Sequence, residues 1–242
     1  MNLSKKYLKL ITSLQQKKYR QKHHLFIAEG IKVVDELLKS SFVLEKLFLT
    51  EETIFSVDAD KSVLITELEL KKISQLKNPN KVLGIFQIPE ERISENKGLL
   101  IALDAINDPG NLGTIIRLCD WFGISKLICS KTTVDCFNQK VVQASMGSLT
   151  RVEIVYEDLD IFLKTTKLPI FAADMNGEDV YKANLPNEAV LVMGNEANGI
   201  SDEIMKLIDN KIAIPRFGNT QKTESLNVAT ATAIFMSEFK RG

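Results

Sequence analysis

The chain has 242 residues, of which 45% are apolar and 26% charged, and its 31 basic and 31 acidic side chains balance. This composition is that of a globular protein with one large or two small domains, and it excludes a polycation that binds nucleic acid through overall charge. Three cysteines without metal spacing, and no apolar run near the ~18 residues of a membrane span, predict a reduced, cytoplasmic protein with no metal site or membrane segment.

The basic residues are concentrated near the start of the chain. Residues 1–28 contain no acid, whereas they contain seven Lys or Arg side chains and the pair His23-His24. Such a run is commonly a solvated face, but it also fits a surface that contacts phosphates. The candidates for such contacts with nucleic-acid phosphates are Lys17, Lys18, Arg20 and Lys22.

The first ninety residues predict a small α/β unit, which is long enough to form its own core. Apolar residues at helical spacing predict a helix over residues 3–19. The elements predicted after it are strand Leu25–Ala28, helix Ile31–Leu38, strands Phe42–Thr50 and Val63–Thr66, helix Leu68–Leu76 and strand Lys81–Ile88. The polar segment Pro89–Gly98 is the predicted linker.

From residue 99 onward, strands and helices alternate, which predicts a parallel sheet. The last predicted helix is Leu226–Phe239, and Ser225 and Asn227 could both cap it. The strands predicted before it are Leu99–Asp104, Lys126–Cys129, Val152–Val155, Pro169–Ala173, Ala189–Met193 and Lys211–Ile214. The helices predicted between these strands are a helix that begins at about Leu112, and the segments Asn138–Ser145, Leu159–Thr166 and Asp202–Ile208.

Three of these strands, Leu99–Asp104, Ala189–Met193 and Lys211–Ile214, run into polar loops that precede helices. Parallel sheets bind ligands beyond the carboxyl ends of their strands, so these loops predict a site. The chain contains neither GxGxxG nor GxxxxGK[ST], which argues against a dinucleotide fingerprint and a P-loop. A cofactor would therefore need a different binding loop.

The three loops resemble, in order and spacing, the three motifs of the SpoU (TrmH-like) RNA ribose 2′-O-methyltransferases of the SPOUT superfamily. The resemblance covers roughly residues 98–242, and the N-terminal stretch KKYRQKHHLFIAEGIKVVDELL is more weakly similar to the substrate-binding domain of many SpoU proteins. The first motif is Asn107–Gly113 through Arg117, the second is Met193–Ser201, and the third is Ile214-Pro215, Gly218 and Ser225–Val228.

The resemblance implies an α/β-knot fold, with a deep C-terminal trefoil knot and a mostly parallel sheet. It further implies an L30e-like RNA-binding domain over residues 1–93 and a catalytic domain over residues 98–242. S-adenosylmethionine would be the methyl donor, and a homodimer would build each site across its interface. The expected reaction is methylation of a ribose 2′-hydroxyl, with rRNA favoured over tRNA as substrate. The alternatives are a non-catalytic RNA-binding protein with a degenerate knot, and an enzyme acting on a small metabolite, which would leave the basic arm unexplained.

The resemblance also assigns roles to single residues. It implies that Arg117 activates the ribose 2′-hydroxyl. A guanidinium is always protonated and is a poor proton acceptor, so our hypothesis is that Arg117 grips the adjacent phosphate and stabilises the developing alkoxide, while the phosphate or a water takes the proton. Glu196 would orient Arg117 or the substrate, and Asn227 would contact substrate. Asn111 would shape its loop or bind substrate, with helix capping as an equal alternative.

The cofactor would be held by residues of the second and third motifs, with the two glycines allowing close approach of backbone. The residues assigned to it are Met193, Gly194, Gly199, Ile214, Ser225 and Leu226. The chain departs from the usual third motif, because Arg216 follows Pro215 and the loop Asn219–Glu224 is longer. This departure predicts altered contacts with the substrate.

Overall fold

The computed structural model describes residues 3–90, 94–218, 220 and 225–241. Most of the long loop predicted over 219–224, and residues 91–93 of the predicted linker, therefore lie outside the described residues. Two compact units are present, one formed by residues 1–91 with 135–150 and the other by residues 92–134 with 151–242. The division into domains 1–93 and 98–242 stays a prediction.

The helices and strands follow the predicted order. The helices are α1 (Lys5–Leu14), α2 (Lys17–His23), α3 (Ile31–Leu38), α4 (Glu67–Ile73), α5 (Pro109–Trp121), α6 (Gln139–Ser145), α7 (Leu159–Thr165), α8 (Asp202–Met205) and α9 (Val228–Arg241). The strands are β1 (Leu25–Glu29), β2 (Leu44–Leu49), β3 (Ser62–Leu64), β4 (Val82–Gln87), β5 (Leu99–Leu103), β6 (Lys126–Ser130), β7 (Glu153–Glu157), β8 (Ile170–Asp179), β9 (Ala189–Met193) and β10 (Asn210–Ala213).

The first unit contains a four-stranded sheet in the order β1-β4-β2-β3. Strand β4 is antiparallel to both β1 and β2, whereas β3 is parallel to β2. The helix predicted over residues 3–19 is in fact two helices, α1 and α2, because Gln16 has an extended backbone between them. Helix α6 also belongs to this unit, where the ring of Phe137 packs 4.9 Å from that of Phe26.

The second unit contains a six-stranded sheet in which every pair is parallel, as predicted. Its strand order is β10-β8-β9-β5-β6-β7, and β5 and β9 are buried along their whole length. The carboxyl ends of parallel strands meet at one edge of a sheet, so the loops after β5, β9 and β10 leave from the same edge. The trefoil knot stays a prediction.

Strand β8 is longer than the predicted segment Pro169–Ala173, because β10 pairs with it in two places. Lys211 pairs with Ala172, and after a shift of register Ile212 pairs with Glu178. A Cβ atom on Gly177 would lie 2.5 Å from backbone atoms of Lys211 and Ile212, so only glycine fits this crossing. Side-chain periodicity carries no signal for such a shift.

Helix α9 begins two residues later than predicted, and Ser225 is not its N-cap. The side-chain oxygen of Asn227 accepts hydrogen bonds from the N–H groups of Ala229 and Thr230 at 3.0 and 3.2 Å. Both residue types favour the N-cap position, so the sequence could not choose between them.

Among the described residues, no helix has the length and apolar character needed to cross a membrane.

Candidate active site

The first motif forms the start of α5, where Asp108 is the cap. Its Oδ1 accepts the Asn111 N–H at 2.8 Å, and Pro109 occupies the first turn, where it has no backbone donor to leave unpaired. Capping by Asn111, the alternative that the sequence left open, is therefore wrong. The Asn111 side chain is left available for other contacts.

Three of the four predicted catalytic residues are joined by hydrogen bonds. The Asn111 amide donates from Nδ2 to Oε1 of Glu196 at 2.5 Å, and its Oδ1 accepts from Nδ2 of Asn227 at 2.9 Å. Because each amide has one oxygen and one nitrogen, these two hydrogen bonds fix the orientation of both asparagine side chains. We call Asn111, Glu196 and Asn227 the polar triad, and it ties together the three loops at the carboxyl edge of the sheet.

The loop of the second motif closes on itself. Asn195 and Gly199 exchange backbone hydrogen bonds of 2.9 and 2.8 Å, and Gly199 has a φ of +70°, which favours glycine. A Cβ atom on Gly194 would lie 2.2 Å from the backbone of Gly199 and Ile200. Gly194 is therefore required by its own loop, and its contact with a cofactor stays a prediction.

Arg117 does not join the polar triad. It lies six residues after Asn111, about 9 Å further along the helix and about 120° around it. Its side chain is exposed, and within the described part of the chain it forms no ion pair with Glu196. Glu196 contacts Asn111 instead, so the expected orienting of Arg117 by Glu196 is not seen within one chain.

The residues assigned to a cofactor differ in how much surface they offer. Met193 is buried and its carbonyl oxygen accepts the Asp104 N–H at 2.9 Å, whereas Ile214 is half-buried. Leu226 is 48% exposed beside the triad member Asn227, and Ser225 is exposed as well. An apolar side chain next to polar groups fits a ligand that has both an aromatic ring and polar substituents.

The predicted RNA-binding residues divide into two kinds. Lys17, Lys18 and Lys22 are exposed on α2. Arg20 is only 3% exposed, since its guanidinium pairs with Asp135 at 2.5 Å and donates to the carbonyl oxygens of Leu14 and Gln15. Arg20 is therefore a structural residue, and its prediction as an exposed phosphate contact is wrong.

Sequence reasoning did not single out Asp104 or Asn195, both of which hold the loops of this edge in place. Asn195 donates from Nδ2 to the Ala105 carbonyl oxygen at 2.7 Å, and Asp104 accepts two hydrogen bonds from Ser201. The available signal was an acid at the end of an apolar strand. Among the described residues, no group of three or more His, Cys, Asp or Glu side chains could hold a metal ion, and the three cysteines are buried and form no disulfide.

A parallel sheet with polar loops at its carboxyl edge defines an α/β protein of the kind that binds ligands at that edge. The chain matches the SpoU rRNA Methylase family over residues 98–237 and the MRM3-like substrate binding domain over residues 5–84. It therefore belongs to the SpoU rRNA methylase family. The predicted family is confirmed, as is the α/β fold of SPOUT methyltransferases with an N-terminal substrate-binding domain.

Similar proteins match nearly the whole chain. The 23S rRNA (guanosine(2553)-2′-O)-methyltransferase RlmP of Bacillus subtilis is 28% identical over 230 residues, which cover 92% of this chain and 91% of the relative. The structure of a TrmH-family protein from Porphyromonas gingivalis is 37% identical, with a TM-score of 0.89 and coverage of 99% and 98%. That of an AdoMet-bound rRNA methyltransferase from Sinorhizobium meliloti is 30% identical, with a TM-score of 0.85 and coverage of 99% and 95%.

Proposed function

We propose that this protein transfers a methyl group from S-adenosylmethionine to a ribose 2′-hydroxyl of ribosomal RNA. The observation that carries the proposal is the polar triad, in which Asn111, Glu196 and Asn227 are hydrogen-bonded across three separate loops. Polar groups placed with fixed orientation at one point are what an enzyme needs to position a reacting hydroxyl. The relatives named as rRNA methyltransferases, which match over nearly their whole length, support ribosomal RNA as the substrate.

The residues present fit S-adenosylmethionine. Ile214 and Leu226 offer partly exposed apolar surface for its adenine ring, while Ser225 and the loop backbone after β9 offer polar groups. When bound, this cofactor supplies a methyl group already activated by its sulfonium. The protein then has to align the 2′-oxygen, exclude water and stabilise negative charge.

The triad residues can orient the ribose. Asn111 and Asn227 have their amides fixed by neighbours, and Glu196 is an exposed carboxylate that can accept a hydrogen bond from a hydroxyl. Arg117 can hold an adjacent phosphate in bidentate fashion and stabilise charge that develops on the 2′-oxygen. The proton would leave to that phosphate or to water, because the guanidinium cannot accept it.

We further propose that the protein acts as a homodimer in which Arg117 serves the partner's site. Trp121, at the end of α5, is 84% exposed. It lies four residues after Arg117, so the two side chains share one face of the helix. A tryptophan so exposed is typical of a surface that a protein partner covers, and such a cover would bring Arg117 to the interface.

Residues 1–93 would recruit the RNA, and residues 98–242 would catalyse the transfer. The exposed Lys17, Lys18 and Lys22 lie within the region that matches a substrate-binding domain, which supports this division of labour. We also propose that the protein acts in the cytoplasm, where it would meet ribosomal RNA.

The direct test supplies the protein with methyl-labelled S-adenosylmethionine and separated rRNA and tRNA from cells that lack the protein. We expect label in rRNA, in ribose-methylated nucleosides, and at least a hundredfold less label with Arg117→Ala. Label in tRNA alone would show that tRNA, and not rRNA, is the substrate. Tight cofactor binding without label in rRNA, tRNA or assembled ribosomal subunits would favour a non-catalytic RNA-binding protein.

The dimer is tested by sedimentation of the wild type and of Trp121→Ala. We expect a dimer that dissociates at higher concentration in the variant, and no change for Ile161→Ala, a control that is 59% exposed on α7. A monomeric wild type with full activity would overturn the shared site.

A further inference from the structure

Asp104 is a buried carboxylate at the corner where β5 ends. It is 7% exposed, and its N–H continues the pairing with β9 by donating to the Met193 carbonyl oxygen at 2.9 Å. Within the described residues it forms no ion pair with a lysine or arginine. A buried charge without a cation is costly unless hydrogen bonds stabilise it. The hydrogen bonds of Asp104 therefore matter for its role.

Those contacts are made by the last residue of the second motif. One carboxylate oxygen of Asp104, Oδ2, accepts both the backbone N–H of Ser201 at 2.8 Å and its hydroxyl at 2.7 Å. Hydrogen bonds to an ionised acceptor are about twice as strong as neutral ones. Ser201 is thereby anchored to the end of β5.

The other end of the same loop is held at the adjacent residue. Asn195 donates from Nδ2 to the carbonyl oxygen of Ala105, which has a φ of +56°, outside the usual range for alanine. Ala105 in turn donates its N–H to the hydroxyl of Ser130 at 2.9 Å. Both ends of the loop are therefore attached to one corner, and Glu196 lies between the two attachments.

We propose that Asp104 is a positioning residue for the methyl transfer: by anchoring Ser201 it holds the second-motif loop where Glu196 meets Asn111. The inference rests on the proposed function, because it assigns Asp104 a role in that same site. Asp104 acts through the loop, since its side chain accepts hydrogen bonds from Ser201 and its N–H donates to Met193.

Two variants weaken the anchor to different degrees. Asp104→Asn keeps the shape of the side chain but removes its charge, and we expect kcat/KM to fall about tenfold. Ser201→Ala removes one donor and leaves the backbone N–H bond, so we expect a smaller loss of about fivefold. Asp160→Asn is the matched control on α7, where the carboxylate is 50% exposed beside Lys164, and we expect no change.

The role through Glu196 is tested by a double-mutant cycle. If Asp104 acts by placing Glu196, then Asp104→Asn costs little further activity in a Glu196→Gln protein. A loss that simply multiplies in the double variant would overturn the proposal, because it would mean that the carboxylate only supports the fold. If Asp104→Asn does not fold, the same cycle is measured with Ser201→Ala.

Amide hydrogen exchange measures the anchor without activity. The N–H groups of Asn195, Gly199 and Ser201 are hydrogen-bonded, so we expect them to exchange faster in both variants while the amides of β9 stay protected. Unchanged exchange in the loop would overturn the proposal. If the wild-type protein methylates no RNA, the proposed function is wrong. The amide exchange rates of the loop would then be the remaining test of whether Asp104 holds the segment that contains Glu196.

Discussion

Two groups of polar side chains, one in each unit, lie in opposite surroundings. In the first unit, Arg20 and Glu29 are 3% and 2% exposed, and each is surrounded by hydrogen-bonding partners. At the carboxyl edge of the second unit, Asn111, Glu196 and Asn227 bond to one another where solvent reaches them. Buried polar groups with complete partners hold a fold together, whereas exposed ones held in fixed orientation remain available to a substrate.

The largest expected effect comes from Asp135→Asn in the first unit. Arg20 would keep its charge in a buried position without an ionised partner, which costs about 3–5 kcal/mol. Amide hydrogen exchange in β1 and β4 measures the stability of this unit. The exposed pair of Lys81 and Glu51 is the control, and Glu51→Gln should leave exchange unchanged. Equal effects of the two variants would contradict a structural role for Arg20.

Asn111→Ala should show the reverse pattern. It removes both hydrogen bonds that join the polar triad, so we expect kcat/KM to fall about 10- to 100-fold. The thermal midpoint should hardly change, because the capping contact uses the backbone of residue 111. Asn176→Ala, an exposed asparagine on β8, serves as the control for activity. Retained activity with lost stability would reverse the comparison.

A smaller effect should appear in the pH dependence of stability. Burial raises the pKa of Glu29, although the Gln75 N–H and the side chains of Ser74 and Gln139 donate to it and act in the opposite direction. The folded state then holds the proton more tightly than the unfolded state. The free energy of unfolding must therefore fall as pH rises from the ordinary glutamate pKa to the raised one.

Glu29→Gln should remove this slope, which is read from the difference between the two pH profiles. Exchange of the β1 amides at several pH values gives both profiles. Parallel profiles would show that the carboxylate is ionised at no cost.

The smallest expected effect concerns the exposed lysines of α2. Lys22→Ala should weaken RNA binding evenly across sequences and lower the salt slope of log affinity by about one. Filter binding at several salt concentrations measures it, with Lys206→Ala in the second unit as the control. An unchanged slope for Lys22→Ala would remove α2 from the RNA-binding surface.

The parallel sheet of the second unit could be predicted from the sequence, because apolar strands that alternate with helices are compatible with few other arrangements. The sequence could not separate Arg20 from Lys18, because both lie in one basic helix. The ionised partner of Arg20 is Asp135, which lies 115 residues away in the chain. The shift of β10 along β8 could not be predicted for the same reason. Contacts between residues distant in the chain leave no local periodicity.

At the site, three motifs predicted Asn111, Glu196 and Asn227 but not how they connect. Asn111 and Asn227 are 116 residues apart, and only the folded sheet brings their loops together. Asp104 was missed for another reason, because an acid at the end of an apolar strand is a weak signal without a characteristic spacing. The roles of the site residues stay predictions that the experiments above address.

The proposed reaction depends on which atom of the RNA accepts the methyl group. The measurement uses two RNA fragments that contain the methylated nucleotide, one with the natural ribose and one with 2′-deoxyribose at that position. Labelled S-adenosylmethionine and the wild-type protein are added to each. We predict transfer of label to the natural fragment and none to the deoxy fragment. Equal labelling of both would place the methyl group on the base and contradict a ribose 2′-O-methyltransferase.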